Sequence, residues 1–511
     1  MAKRIGYTAA LFCAVALVLP TAAFGATPTF SKDIAPIMHE NCAQCHRPND
    51  IAPMSLMTYD EVRPWAKSIG KYVADGQMPP WHADAGFGPW RNDRSITDDE
   101  RALIVEWVNA GAPKGNPKDM PPLPEIGDGE WRLGEPDYVI TFDAVEVGAG
   151  GADQFHDLTH KTDLGEDKWI TGVEVLPGAR NVVHHVILWQ GQAATTDGWI
   201  GAWAAGAEPQ TFPEGTGRIL KEGTTVIGDF HYHPAETAET DATRVGFHLA
   251  KSMEEVEKEM VNLWVMNAQF AIPAGDPNYE AKSRFTFAQD SKIWSLTPHL
   301  HYRGKDFSYK LTYPDGTEKE LLKVSKYDFN WQTAYEYEEP LSVPAGTRID
   351  CVAHWDNSAD NPSNPDPTKM VTFGPESYDE MMIGFVDYTV DEGVRPQVSD
   401  ASPVDAKLVE LAEEFPDAVY KVMIQMGPGG EQASGVHVPK EGDGGWYVAM
   451  GSIVGRAPIK EIAWTGNTFT GTAYVPGQDP MEMAGEVHGD TLKITITTPQ
   501  GSDTIEGTLQ R

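Results

Sequence analysis

Six of the fifteen histidines in this 511-residue chain fall in three tight clusters. They are His184-His185, His231-Tyr232-His233 and His299-Leu300-His301. Each lies in a run that reads as a β-strand: Val182 to Leu188, Ile227 to His233, and Ile293 to His301. Residues i and i+2 of a strand share a face, so His299 and His301 can grip one metal from one side. Imidazole-rich sites with little thiolate suit copper, zinc or iron. A chain that gathers its histidines this way has to build sheets that bring the clusters together.

A second signal lies near the start. Cys42-Ala43-Gln44-Cys45-His46 has the spacing of c-type haem attachment. A zinc site would want two more cysteine or histidine ligands nearby. His46 supplies the fifth iron ligand, and a soft ligand on a later loop supplies the sixth. Met78, in Gly76-Gln77-Met78-Pro79-Pro80-Trp81, is the leading choice. Met38, Met54 and Met57 are rivals that read better as packing residues, and His82 is the alternative imidazole. This part of the chain resembles bacterial class I cytochrome c domains, through Cys42 to His46, Met78-Pro-Pro and a terminal helix.

The leader agrees with export. Lys3 and Arg4 precede an apolar run from Ala9 to Leu19 and small residues at 23–26. That is a cleavable signal peptide over residues 1–26, too short for a membrane span. It implies a periplasmic or secreted protein with no span in its mature form. The net charge of −35 argues against nucleic acid as a partner. Of the four cysteines, Cys13 leaves with the leader and the haem claims two. Cys351 is left alone, without a disulfide framework.

Organisation follows from composition. Residues 27–120 carry helical signals: Phe30 to Asn41, and Thr97 to Gly111, where Thr97 and Glu100 make a capping box. The Pro- and Gly-rich stretch around 121–130 is a linker. Short β-branched and aromatic runs between turn residues fill 131–265 and 266–396 and predict two β-sandwiches. Residues 402–511 read as a helix, Val404 to Phe415, and then a β meander closing into a barrel or half-barrel. The predicted fold class is multidomain: a small all-α cytochrome c domain, two antiparallel β-sandwich, jelly-roll-like copper domains, and a small mostly-β C-terminal domain.

The order of the histidine clusters resembles the copper type II, ascorbate-dependent monooxygenases, the family of peptidylglycine α-hydroxylating and dopamine β-monooxygenase. The resemblance spans roughly 135–388. It implies that His184, His185 and His231 hold an electron-transfer copper, with His233 outside the set. It implies that His299 and His301 hold a second copper, the one that meets O2, with a methionine from Asp379-Glu380-Met381-Met382. Met381 matches and Met382 is its rival. Two imidazoles plus a thioether favour Cu(I), the state that must meet O2. Two departures stand out. Cys351 matches a family half-cystine without its partner, which predicts a buried free thiol. The arginine that anchors the peptide carboxylate in the peptide-specific enzyme is here Thr297, so a glycine-terminated peptide is not the expected substrate.

The implied activity is oxygenation of a C–H bond of a small organic substrate. It would use O2, two copper ions, one covalently bound haem c and an external electron donor, either an ascorbate-like reductant or a periplasmic redox protein. The alternative is a haem and copper electron-transfer protein without oxygenase activity. A haem–copper oxidase or reductase is disfavoured by the order of the clusters. Other features read as structure. His156, His160 and His248 have no partner at ligand spacing. Asp356 to Pro367 reads as an Asn/Pro turn loop rather than a calcium loop. Met423, Met426, Met450, Met481 and Met483 read as core residues.

Overall fold

In the computed structural model the described residues are mostly β, with 44% of them in strands and 13% in helices. The structure describes residues 27–48, 52–124, 130–191, 198–204, 207–391, 403–425, 431–450, 453–474, 480–498 and 501–510. The signal peptide, the centre of the 121–130 linker and Met426 lie outside the described residues.

This composition overturns the expected fold class at its first element: residues 27–120 do not make an all-α cytochrome domain. The helices there are short, Ala35–Asn41, Tyr59–Val62, Ala66–Ala74 and Asp98–Asn109. Thr97 and Glu100 do form the capping box of the last of these. Much of the chain between the last two helices leaves the helical core, to which only its ends, at Met78 and Ile96, hold. Trp90 bridges to Tyr337 in strand geometry, and Arg91 N donates to Glu336 O at 2.7 Å. Trp90 is buried in the core of a later β unit, with Trp81, Ala83 and Phe87 packed beside it. The physical reason is in the residues. Pro79, Pro80 and Pro89 forbid a helix here, and the large aromatics gain more from a sheet face than from a small helical core.

Residues 138–259 form the first β unit. One sheet runs Tyr138–Thr141, Arg244–Leu249, Lys168–Leu176, Thr216–Leu220, Lys258–Glu259. The facing sheet runs Gln154–Lys161, Thr225–Tyr232, Val183–Gln190, Trp199–Ala204. Both contribute to one core around Ile170, Val186, Leu188, Phe230 and Phe247. The second unit begins at Val261, directly after strand Lys258–Glu259 ends the first. Its sheets are Val261–Met266, Ile383–Val390, Ser291–His299, Tyr335–Val343, and Tyr279–Thr286, Arg348–Trp355, Gly304–Thr312, Glu318–Val324. Cys351 is buried there as a free thiol, against Gly384, where a Cβ would meet its Sγ at 2.7 Å.

A buried ion pair joins the two units: Arg218 of the first donates to Asp387 of the second, which also accepts from Asn262 Nδ2 at 2.8 Å and Ser295 Oγ at 3.0 Å. Removing one partner of such a pair strands a buried charge, at a cost of about 3–5 kcal/mol. The chain ends in a closed barrel of eight strands between Val419 and Leu509. Helix Pro403–Glu414 covers it through Leu408, whose side chain occupies the space a Cβ on Gly435 would need.

Candidate metal centre

Strand Val183–Gln190 lies beside Thr225–Tyr232, and His185 pairs with His231 across that ladder. Adjacent residues of a regular strand point to opposite faces. The register slips between Val183 and His185, and such an irregularity re-aims side chains. His184 and His185 therefore both turn toward His231. The ligand atoms of the three imidazoles lie within 4.8 Å of one another. His184 Nδ1 and His185 Nδ1 are 3.1 Å apart. His231 Nε2 is held by Asp153 Oδ2 at 2.8 Å, while its buried Nδ1 has no hydrogen-bond partner. An orphaned buried nitrogen beside two converging imidazoles is what a metal ion would satisfy. The outward nitrogen bound to a carboxylate fixes tautomer and ring orientation, as around metal-bound histidines generally. His233, exposed, binds the other oxygen of Asp153 at 2.8 Å and stays outside the cluster.

The second cluster forms at the end of a strand. His299 closes Ser291–His299 and pairs with Ile383, the first residue of its neighbour. His301 lies two residues beyond one member of that pair and Met381 two residues before the other. His299 and His301 are buried, with ring centroids 5.3 Å apart. His299 Nδ1 contacts Gln332 Oε1 at 2.6 Å, which leaves Nε2 free. His301 Nδ1 is buried without a hydrogen-bond partner. Met381 is half-buried, whereas Met382 is fully buried in the core of the second unit.

Glu380 fixes this end of the site. Its buried carboxylate accepts from His301 N at 2.9 Å, Arg303 N at 2.6 Å and Trp355 Nε1 at 2.8 Å. It thereby ties the segment that carries Met381 to the segment that carries His301. Burial raises this carboxyl to about 7 against those hydrogen bonds. Arg303 donates Nε to Asn357 Oδ1 at 2.9 Å, and Asn357 anchors the loop after Trp355 through Pro273 O and Lys369 O. That loop is a run of side-chain-capped turns at Asp356, Asn361, Asn364 and Asp366.

The electrostatics favour neutral imidazoles. Burial lowers His184 and His299 to about 4, and it depresses His185 and His301 well below the usual histidine range. A neutral ring offers its lone pair to a metal at any ordinary pH. A cavity of about 580 Å³ is lined by His185 together with His299 and Met381. Trp199 and Phe385 wall it, stacked at 5.4 Å, and Phe385 packs edge-on to His299. Gln44, Arg91 and Arg94 of the N-terminal region also line it.

The Cys42–His46 motif forms a turn after helix Ala35–Asn41, with His46 N donating to Cys42 O at 2.9 Å. His46 Nδ1 contacts Met54 O at 3.2 Å, which leaves Nε2 as the ligand atom. Cys42 and Cys45 form no disulfide, and burial, then Cys45, pushes the Cys42 thiol up to about 12. This donor set fits covalent haem. Met78 packs against the same core as Cys42 and Met54, while Met38 is fully buried within that core. His82 sits elsewhere: Asp328 of the second β unit and Arg94 are the charges that act on its half-buried ring.

Among the described residues, His184, His185 and His231 alone group as a metal-sized set of histidine, cysteine and carboxylate donors. His156 instead contacts Gln154 and packs edge-on to Tyr232. Asp153, Gln332, Phe329 and Glu380 are site residues that spacing did not reveal. No family model and no curated protein matches the chain. Solved structures of the infectious bursal disease virus Gx strain and of a VP2 subviral particle of that virus are similar at 10% identity. They cover 51% and 50% of this chain and 74% and 73% of theirs, with TM-scores of 0.16 and 0.15. A likeness that low carries no argument here. No helix of the described residues is long and apolar enough to cross a membrane.

Proposed function

We propose that this chain is a periplasmic copper-dependent monooxygenase. It hydroxylates a C–H bond of a small organic substrate with O2 and takes electrons through a covalent haem on Cys42 and Cys45. The reaction balances as substrate, O2, two electrons and two protons giving hydroxylated product and water, with the electrons coming from an external donor. The order of the histidine clusters, similar to that of the copper type II monooxygenases, supports the reading. The observation that carries it is one cavity lined by members of both proposed donor sets. His184, His185 and His231 converge within 4.8 Å, and His185 lines the same cavity of about 580 Å³ as His299 and Met381.

His184, His185 and His231 would hold one copper, and His299, His301 and Met381 the other. Copper, when bound, supplies one-electron redox chemistry and the use of O2. The chain's own residues do the rest. Burial keeps the imidazoles neutral, and Asp153 and Gln332 fix two of their rings. Glu380 sets the spacing between the His301 and Met381 segments through its bond to His301 N. The Trp and Phe walls offer apolar surface to a substrate. A simple electron carrier has no use for a ligand-sized cavity lined by its metal donors, which disfavours the carrier reading.

The test is metal and haem analysis of protein exported to a bacterial periplasm, followed by a substrate-dependent O2-uptake screen. Two coppers, one haem and a product carrying one atom of labelled O2 are expected. Full loading with no O2 use by any substrate would return the chain to the carrier class.

A further inference from the structure

Asp153 lies in the loop before strand Gln154–Lys161, 78 residues from His231. Its Oδ2 accepts from His231 Nε2 at 2.8 Å and from Tyr302 OH at 3.2 Å. Tyr302 belongs to the second unit and directly follows His301. One carboxylate oxygen is thus shared between the first donor set and the segment that carries the second. The contact is reinforced by Phe329, whose ring meets Tyr302 at 4.7 Å, His184 at 5.5 Å and His301 at 6.0 Å. His233 takes the remaining oxygen of Asp153 at 2.8 Å.

From this geometry we infer that Asp153 is a positioning residue for both metal sites, holding His231 toward His184 and His185 and tethering the His301 segment through Tyr302. The inference rests on the two-copper reading and adds a physical coupling to it. A carboxylate on the outer nitrogen keeps that proton on Nε2 and leaves Nδ1 as the ligand. A phenol on the same oxygen makes the position of one strand end depend on the other unit. Loss of the carboxylate should be felt at both sites, and loss of the phenol at the second alone.

The experiment is competitive copper titration of the full chain, following each site separately in His184→Ala/His185→Ala and His299→Ala/His301→Ala backgrounds. Asp153→Ala should weaken both sites, the three-histidine site by about 10–100-fold as for other outer partners of metal-bound histidine. Asp153→Asn, which keeps an acceptor oxygen and the side-chain shape, should recover part of that loss. Tyr302→Phe should leave the three-histidine site within about twofold and weaken only the site of His299 and His301. A metal-free readout stands beside these. Nitrogen NMR of labelled histidine should show His231 protonated at Nε2 in the wild type and mixed in Asp153→Ala. If Asp153→Ala and Asp153→Asn weaken only the three-histidine site, or Tyr302→Phe weakens neither, the coupling is wrong. If the wild type binds no copper while His231 keeps its fixed tautomer, the copper reading fails and the positioning of His231 stands. An unfixed His231 in the wild type overturns the inference itself.

Discussion

Phe329 lies flat against the imidazole of His184, ring centroids 5.5 Å apart and planes 13° from parallel. The two residues belong to different β units, so the first donor set is closed over by a loop of the second. The same ring meets His301 edge-on at 6.0 Å. Phe329 is 7% exposed. Its replacement by alanine should cost about 3 kcal/mol or more of stability through the cavity left behind. It removes no donor atom, so copper content should hold at two while hydroxylation falls. Denaturant unfolding and metal analysis of Phe329→Ala check this, and loss of a copper would make the ring part of the metal site.

The two donor sets should empty independently. His184→Ala/His185→Ala is expected to remove one copper, and His299→Ala/His301→Ala the other. Each set is built on a separate pair of strands, Val183–Gln190 with Thr225–Tyr232 and Ser291–His299 with Ile383–Val390. Two coppers retained in either double variant would mean that the sites are misassigned.

The haem motif makes its own prediction. Met78 shares a core with Cys42, and its removal should not prevent thioether formation. Met78→Ala should keep covalent haem, lose the methionine-to-iron absorption and lower the potential. A spectrum identical to wild type would remove Met78 as sixth ligand. His82, whose imidazole feels Asp328 of the second unit, is the poorer substitute.

Much of the site could be read from residue order because strands translate spacing into direction. The His184-His185 pair, His231 and the His299-Leu-His301 run are local signals, and each lies on or beside a strand. Their partners are not local. Asp153 meets His231 across 78 residues, and Gln332 meets His299 across 33. Neither lies in a recognisable pattern, because a hydrogen bond made through a loop leaves no periodicity. The bulge that turns His184 and His185 to one side is likewise invisible, since Val-Val-His-His-Val reads as plain strand. The N-terminal region misled for a different reason. Its capping box is local and formed as expected, but Trp81, Phe87 and Trp90 spend their apolar surface on the second β unit. Where an apolar segment packs is a tertiary choice that composition does not encode.

Acid should loosen the C-terminal barrel through one residue. His437 is 5% exposed, stacks on Phe415 at 4.3 Å, and its buried Nε2 has no hydrogen-bond partner. Burial, then Arg456, lowers its imidazole from 6.5 to about 4. Between those values the unfolded chain takes up a proton that the folded barrel refuses. The contribution is therefore complete above pH 6.5 and is lost as pH falls toward 4, on the order of 2 kcal/mol after allowance for solvent screening. Amide exchange in strand Val419–Gln425 across this window should quicken in the wild type. His437→Phe keeps the stacking and should flatten the dependence. An equally steep decline in that variant would place the acid-sensitive group elsewhere.

Met381 and Met382 separate ligand from core. Met382 is fully buried among the second unit's apolar side chains, so Met382→Ala should cost about 2–5 kcal/mol in unfolding. Met381 is half-buried and faces the cavity with His299, so Met381→Ala should cost less stability. Function should divide the other way. Without the Met381 thioether the second copper keeps two imidazoles, His299 and His301, and loses the soft donor that favours Cu(I). The three-histidine site is untouched. Haem reoxidation by the first copper should therefore survive in Met381→Ala while substrate hydroxylation collapses. In Met382→Ala, assayed below its lowered melting temperature, hydroxylation should persist. Stopped-flow haem reoxidation beside product analysis reads both. Full hydroxylation in Met381→Ala, with collapse in a folded Met382→Ala, would move the ligand to Met382.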